Sequence, residues 1–516
     1  MNTMSRIDNS IRNVKYTAVA QAVNFLIVFI SRKIFLRILS TEYLGLNGTF
    51  SNIITMLSLA ELGLGSAICF CLYKPIYNKN EKLINSIMAF YKKAYNIIGL
   101  AVLFIGTFLI PFLDFIVEEL PDIHHIRTIY FLFVLNSASS YFFVYKKTLL
   151  IADQKQYISN VIHQTAVFFI NLFQIFFLLI TRNYFSYLII MVLGTLIQNI
   201  VVSAIVDRKY KFLDYKNAEP LSKEEKKEIF KQIGAMSSHR IGGVVVNGTD
   251  NLIIAKCINV ISVGYYSNYY LIKNTIISVI TLLFQSVTSS VGNLGARENS
   301  EKRKAEVFDM LYLLAAMIIG FCSIALFILF NPFIEIWVGK ELLLDFKTML
   351  IIVINFYMLG MRQPVLCVRD ALGIFWYDRY KPIFEAVLNI VFSIPLAFKF
   401  GIFGVLLGTL LSTILTSFWV EPKVLYKYGF KKKLYSYFVK YFVYLIVTVI
   451  TAFICYFAVS FINSGNQYFD LLLKALTCVV ISAIVFLIVY SQFKEFRMLL
   501  NIFKNKIIKR KWDSDV

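Results

Sequence analysis

Seven charged side chains fall inside apolar runs of this sequence: the cations Arg32, Lys33, Arg240, Lys273 and Arg362, and the anions Glu61 and Asp250. A charge near the centre of a bilayer costs about 2.5–3.5 kcal/mol even on the lenient insertion scale, so a chain that keeps several of them is using them. Five cations against two acids leave an excess of positive charge, which a water-filled cavity tolerates better than a dry interior. Such a cavity attracts an anionic headgroup, and the arginine fork donates two hydrogen bonds at once to a phosphate. The competing arrangement is a set of internal ion pairs that staple helices together. Glu61, in Ala60-Glu61-Leu62-Gly63-Leu64-Gly65, suits either a proton or Na⁺ site or a hydrogen bond between closely packed helices. Asp250 and Asn251 are comparable candidates further along the chain. Gly360-Met361-Arg362-Gln363-Pro364 sets a charge between two helix breakers. That pattern fits a discontinuous helix at mid-depth, as in many transporter sites, or a plain proline kink.

Other chemistry finds no foothold. Walker A, HExxH and GxSxG patterns are missing from the sequence and no nucleotide-sugar site is read in it, so no cofactor and no enzymatic activity are expected. Any driving force then comes from an H⁺ or Na⁺ gradient or from downstream consumption. The seven cysteines lie in or beside apolar segments, without CxxC spacing or a histidine cluster, and read as small packing residues. Tyrosines such as Tyr265, Tyr266, Tyr269 and Tyr270 fit an interfacial aromatic belt better than a sugar-stacking platform.

The elements that position these residues are membrane spans. Hydrophobic residues make up 58% and charged residues 16% of the chain, with mean hydropathy +0.68; soluble proteins carry about 25% charged residues. Hydropathy and breakers divide the chain into fourteen spans at 14–38, 44–72, 88–111, 126–145, 159–180, 185–206, 232–257, 263–291, 307–331, 347–367, 382–398, 402–420, 437–461 and 469–491. The N-terminal apolar run ends in Arg32-Lys33 and reads as an uncleaved first span.

Of the 52 Lys and Arg residues, 38 fall in the connections on one side, and the other side's connections hold only Arg37, Arg182, Lys340 and Lys399. This bias predicts that both termini are cytoplasmic. It also explains the net charge of +21 as a juxtamembrane layer facing anionic lipid, which argues against a nucleic-acid partner.

Residues 207–231 form the longest polar insertion, and Ser222 with Glu225 has capping-box spacing for a helix start. An internal repeat supports a division there. Gly45 in LGLNGTF has a counterpart in Gly264 of VGYYSNY, 219 residues on. The same offset carries Ser31 to Asp250, Arg32 to Asn251 and Arg37 to Lys256. The expected organisation is a first lobe over 1–206, a cytoplasmic linker over 207–231, a second lobe over 232–420, two additional helices over 437–491 and a basic tail over 492–516. Repeats running in the same direction give two six-helix bundles about an axis along the membrane normal.

The stretches EYLGLNGTFSNI, LAELGLGSAI with LYKP, TDNLIIAKCINVISVGYYSNY, RDALGIFWYDRYKPIFEA and GIFGVLLGTLLS followed by WVEPKVLYKYGF give the chain a family likeness. In them it resembles the bacterial polysaccharide repeat-unit flippases (the Wzx type) of the multidrug/oligosaccharidyl-lipid/polysaccharide (MOP) exporter superfamily. That resemblance implies an all-α polytopic fold of two six-helix lobes, MATE-like, with two trailing helices. It implies flipping of undecaprenyl-pyrophosphate-linked oligosaccharide across the bacterial cytoplasmic membrane by alternating access, for capsule, O-antigen or exopolysaccharide assembly. It further implies a cationic cavity lined by Arg32, Arg240, Arg362 and Lys273, and coupling to an ion gradient. Polysaccharide polymerase and chain-length machinery are the expected partners.

Two rivals fit less well. A multidrug antiporter of the same fold wants an acidic or neutral cavity. A polysaccharide polymerase or ligase wants a large extracytoplasmic catalytic loop, whereas the outside connections here are all short.

Overall fold

The computed structural model describes residues 23–61, 63–117, 123, 125–153, 155–215, 217–297 and 301–501, without the side chains at 60, 66, 232, 235–236, 238–247, 285–297 and 375–376. Among these residues there is no β-strand. The helices are α1 (23–38), α2 (Thr41–Leu57), α3 (Leu64–Tyr77), α4 (Glu81–Phe108), the short α5 (Leu113–Ile116), α6 (Ile126–Ala152), α7 (Gln156–Thr181) and α8 (Tyr184–Lys209). There follow α9 (Lys223–Cys257), α10 (Val260–Arg297), α11 (Glu301–Val338), α12 (Phe346–Met361), α13 (Gln363–Ala371), α14 (Lys381–Leu415), α15 (Ser417–Val424), α16 (Tyr435–Ser460) and α17 (Gln467–Tyr490). Nine helical stretches among the described residues are long and apolar enough to cross a membrane. On α16 and α17 the outward faces carry exposed Phe442, Ile446, Phe453, Phe457, Ile484 and Ile488, the surface that lipid chains wet. This is a multi-pass membrane protein.

Helix ends follow local chemistry. Ser222 accepts a hydrogen bond from the Glu225 N–H while the Glu225 carboxylate accepts from the Ser222 N–H, so the expected capping box starts α9. At Gly401 the backbone takes φ 60° and ψ −140°, a conformation only glycine adopts readily, and α14 turns back on itself there. Gly404 completes this turn: a Cβ on it would stand 1.9 Å from the Leu396 carbonyl oxygen. Gly401 is therefore a turn residue.

The structure corrects the expectation of one continuous helix over 44–72. α2 stops at Leu57, a 3-10 turn runs over Ser58–Glu61, and Gly63 at φ 74° precedes α3. In Leu62-Gly63-Leu64-Gly65 the glycines lower helix propensity, and the left-handed conformation at Gly63 would strain any residue with a Cβ. The tenth expected span is divided as its breakers suggested, α12 ending at Met361 and α13 beginning at Gln363. Arg362 between them keeps right-handed dihedrals of −74° and −26°, so the break is a proline kink, not an unwound segment.

Contacts sort the chain into two compact units, Met1–Ser267 with Pro382–Val405, and Asn268–Lys381 with Leu406–Val516. The leading hairpin of the second repeat, α9 and the first turns of α10, thus packs in the first unit. Helix boundaries there obey the repeat: α1 ends at 38 and α2 starts at Thr41, α9 ends at Cys257 and α10 starts at Val260, each 219 residues on.

Among the described residues the polar insertion is non-helical over 210–215 and 217–222, and it is tied to the first unit. Asn85 and the Asp214 backbone exchange two hydrogen bonds of 2.7 and 3.0 Å. Burial and the Asp153 carboxylate push the Tyr210 phenol above its ordinary range, so it keeps its proton and donates to Asp153 at 2.6 Å.

Candidate functional site

Three groups of charges matter, and their electrostatic circumstances differ. The first is Arg32, on α1 in the first unit. Its Nη1 donates to the Ser267 Oγ at 3.1 Å, and among the described residues no carboxylate lies within ion-pairing distance of it. The guanidinium is half-buried, and Tyr187 of α8 lies within electrostatic range. An aromatic wall stands behind: Phe35 meets Tyr187 edge-on at 5.2 Å between ring centroids, and Tyr184 stacks on Tyr187 at 5.9 Å. Arginine has five N–H donors in a planar fork, so most of this fork is available to an acceptor. Lys33, next to it, points to an exposed face of α1.

The second group surrounds Glu61, also in the first unit. The helix break after α2 turns this carboxylate toward α4, where the Tyr95 hydroxyl donates to Oε1 at 2.5 Å. Tyr95 packs on Tyr91 with centroids 4.4 Å apart, and the Tyr91 hydroxyl lies 3.1 Å from the Thr148 Oγ1. Both tyrosines are essentially fully buried. A Cβ on Gly65 would stand 2.9 Å from the Glu61 Oε1 and 3.1 Å from each tyrosine hydroxyl, so only glycine leaves this cluster room. The carboxylate is half-exposed at the mouth of a chain of hydroxyls.

The third group lies in the second unit and is where Arg362 goes. Its Nε and Nη2 donate to the two oxygens of Glu421 at 2.7 and 2.8 Å, a bidentate pair. Lys381 Nζ donates to the same carboxylate at 2.7 Å and to the Ser417 Oγ at 2.9 Å. Arg369 approaches Glu421 at 3.9 Å and pairs with Asp378 at 2.5 Å and Asp370 at 2.8 Å. Three cations thus meet three carboxylates, with Glu421 fully buried. The picture of Arg362 as one of five cations facing only two acids is corrected: Glu421, one residue past the expected span over 402–420, neutralises it. The aromatic and methionine side chains of Met358, Met361, Phe418, Tyr437 and Tyr441 line a small cleft at its edge.

The remaining candidates are dispersed. Lys273 stands over the Tyr270 ring, 5.0 Å from its centroid, in the second unit. Asp250 is half-buried on α9 in the first unit. The Arg240 side chain lies outside the described residues. Tyr266 and Tyr269 are buried packing residues, and Tyr269 donates to Asn331 at 2.7 Å and accepts from the Leu344 N–H at 3.0 Å; neither forms an interfacial belt.

Fold and charge placement together define a multi-pass membrane protein whose fold is shared with solved MurJ and MATE-family structures. The chain is similar to the lipid II flippase MurJ in an inward closed conformation, with TM-score 0.67 and 16% identity over 92% of this chain and 99% of that one. It is similar to an inward-facing MATE-family multidrug resistance transporter, with TM-score 0.61 and 15% identity over 79% and 98% of the two chains. A MOP superfamily transporter from Pyrococcus furiosus matches with TM-score 0.55 and 12% identity over 82% and 96%. No curated protein matches the chain. The polysaccharide biosynthesis protein family matches over residues 10–289, more than half of the sequence, and the chain belongs to that family.

Proposed function

We propose that this protein flips an undecaprenyl-pyrophosphate-linked oligosaccharide from the cytoplasmic to the outer leaflet of a bacterial cytoplasmic membrane, with both of its own termini cytoplasmic. The observation that carries the proposal is the contrast between Arg32 and Arg362. Arg362 has its counter-charge in Glu421. Among the described residues Arg32 has only a neutral hydroxyl as its hydrogen-bond partner. A cation held in a membrane protein without a carboxylate is costly unless water or a bound anion compensates it, and a pyrophosphate offers acceptor oxygens that fit the guanidinium fork. Lys33, Arg240 and Lys273 add positive charge along the path, and Arg362 contributes to the field while anchored to Glu421. The segments 1–206 and 232–420 act as the two halves of an alternating-access cycle, and Glu61, with Asp250, senses the coupling ion. Membership of a polysaccharide biosynthesis family and the fold shared with a lipid II flippase support the substrate class.

The test is flipping of labelled lipid-linked oligosaccharide in proteoliposomes, with and without imposed pH and Na⁺ gradients. Wild-type protein is expected to flip it faster than empty vesicles. Arg32→Ala is expected to reduce the rate at least about tenfold, the loss of one charge-assisted hydrogen-bonded contact, with the protein still inserted. A wild-type rate equal to that of empty vesicles sinks the proposal.

A further inference from the structure

A set of uncharged polar side chains in the first unit links α1, α7, α8 and α6. The Asn24 carboxamide on α1 donates to the backbone carbonyl of Gln164 on α7 at 2.9 Å, and also to its side-chain oxygen. The preceding residue of α7 turns to another helix: the His163 Nδ1 donates to Oε1 of Gln198 on α8 at 3.3 Å. Asn199, beside Gln198, donates to the Ser140 Oγ of α6 at 3.3 Å.

Polar residues inside a membrane bundle commonly hold helices together, and in that role their groups are paired. Here many are not. Among the described residues the Oδ1 atoms of Asn24 and of Asn136, one turn before Ser140, are buried without a hydrogen-bond partner. The amide nitrogens of Gln164 and Gln198 and the Nε2 of His163 have none either. Buried polar groups of folded proteins are nearly all satisfied, so a set this incomplete calls for a further partner. His163 shows where that partner lies. It is exposed, although it shares the face of α7 that carries the buried Ser159 and Gln174. Phe169, Leu172 and Phe176 are exposed on the opposite, lipid-facing side. The exposure of His163 is therefore to an opening on the inner face of the helix.

The chemistry of the set selects its ligand. Carboxamides present donors and an acceptor side by side, and a neutral imidazole offers one of each. A sugar hydroxyl both donates and accepts, so it matches them; a pyrophosphate, rich in acceptors, matches the arginine fork instead. Asn24 stands eight residues before Arg32 on α1, about 12 Å along the helix axis. A sugar chain carried on a pyrophosphate at Arg32 can run back along α1 to this set. Resting on the reading of Arg32 as the headgroup ligand, we propose that His163, Gln164 and Gln198 form a saccharide subsite. It reads hydroxyl groups of the oligosaccharide while Arg32 holds the anionic head. His163 is exposed and Gln198 half-exposed, so these two carry the recognition. Asn24 is a positioning residue that holds Gln164.

The subsite is tested by binding, apart from transport. The full chain in detergent is titrated by thermophoresis with two lipids extracted from the cells that make it: undecaprenyl pyrophosphate carrying the oligosaccharide, and bare undecaprenyl pyrophosphate. Wild type is expected to bind the first more tightly. Gln198→Leu and His163→Phe are each expected to weaken its binding about three- to tenfold, the loss of one or two hydrogen bonds, and to leave the bare lipid unchanged. Gln198→Asn, which keeps the amide, is expected to recover part of the loss, and all variants to unfold thermally as wild type does. Equal weakening of both lipids, which a purely structural role predicts, or no weakening of either, overturns the subsite. Flipping of the oligosaccharide lipid in proteoliposomes reports separately on transport. If wild type flips it while the variants bind both lipids normally, the subsite falls and the transport reading stands. If wild type binds with this discrimination and does not flip, the transport reading falls and the subsite stands.

Discussion

Arg32 and Arg362 carry the same side chain in opposite circumstances, and the difference lies in what sits across from them. Glu421 offers Arg362 two oxygens in a bidentate pair and holds Lys381 on one of them. Breaking a buried pair by removing one partner costs about 3–5 kcal/mol, whereas replacing both by apolar groups of similar volume is often neutral. Glu421→Ala is therefore expected to lower the thermal unfolding temperature of the purified protein sharply, since it leaves Arg362 and Lys381 without their shared carboxylate. The double variant Arg362→Met with Glu421→Leu is expected to recover most of the loss. Equal destabilisation by the single and double variants would show that the pair is not the source of the stability. Glu421 escaped the sequence reading for a definite reason: counting charges inside hydropathic windows excludes a residue that lies just past a span, before Pro422. The signal was there, in Arg362, Arg369 and Lys381 set against Asp370, Asp378 and Glu421 around neighbouring helix ends, three bases to three acids. Arg32 was legible because its apolar run contains no acid to answer it.

At the scale of the element, the interrupted helix between α2 and α3 is what makes Glu61 addressable. A continuous helix would keep its carboxylate on a helical face; the 3-10 turn and the left-handed Gly63 swing the chain so that the carboxylate meets Tyr95. Gly65 sits one turn on, where a methyl group would press on the Glu61 oxygen and both tyrosine hydroxyls. Gly65→Ala is accordingly expected to disturb this cluster while leaving the helices in place. The measurable outcome is a reduced response of flipping to an imposed pH or Na⁺ gradient, with a smaller effect on flipping without one. A variant whose gradient response matches wild type would remove Glu61 from the coupling role. The small residues around Glu61 were visible in the sequence; the break was not, because hydropathy sums over about twenty residues and is blind to a single left-handed residue. The kink at Arg362 was more legible, since Pro364 removes a specific backbone donor and announces its position.

On the scale of the whole molecule, span positions are the part most fully written in composition. The helices α6, α7 and α8 cover the apolar runs picked out by hydropathy and extend beyond them, because a helix need not stop where the hydrocarbon does, while α4, α16 and α17 start earlier than their runs and end one to three residues short. The repeat was legible as a bare offset of 219 residues with few identities. The offset also relates two close approaches, a Cβ on Gly45 standing 2.0 Å from the Val260 carbonyl oxygen and one on Gly264 standing 2.7 Å from that of Thr41, a constraint that fixes two positions and leaves the rest free to diverge. What the offset could not reveal is that the second hairpin packs with the first unit, since linear order does not report which surfaces meet.

The helix break at Glu61 also bears on how the chain enters the membrane. The segment from Thr41 to Tyr77 contains a carboxylate and two glycines at its middle, and its acid finds Tyr95 only in the following helix. Released alone into lipid, it would carry the cost of an unsatisfied charge, about 2.5–3.5 kcal/mol on the insertion scale. Its stable insertion then waits for α4 to emerge, so that these helices leave the insertion machinery as a group. Nascent chains ended near residue 80 are expected to insert this segment poorly, and chains extended through Phe108 to insert it well. In the short chains Glu61→Leu is expected to restore insertion, and in the long chains Tyr95→Phe to weaken it, as read by a reporter fused downstream. Equal insertion of all four chains would mean that the segment crosses unaided. If the expectation holds, the residue proposed to sense the coupling ion is also the one that delays the chain's assembly.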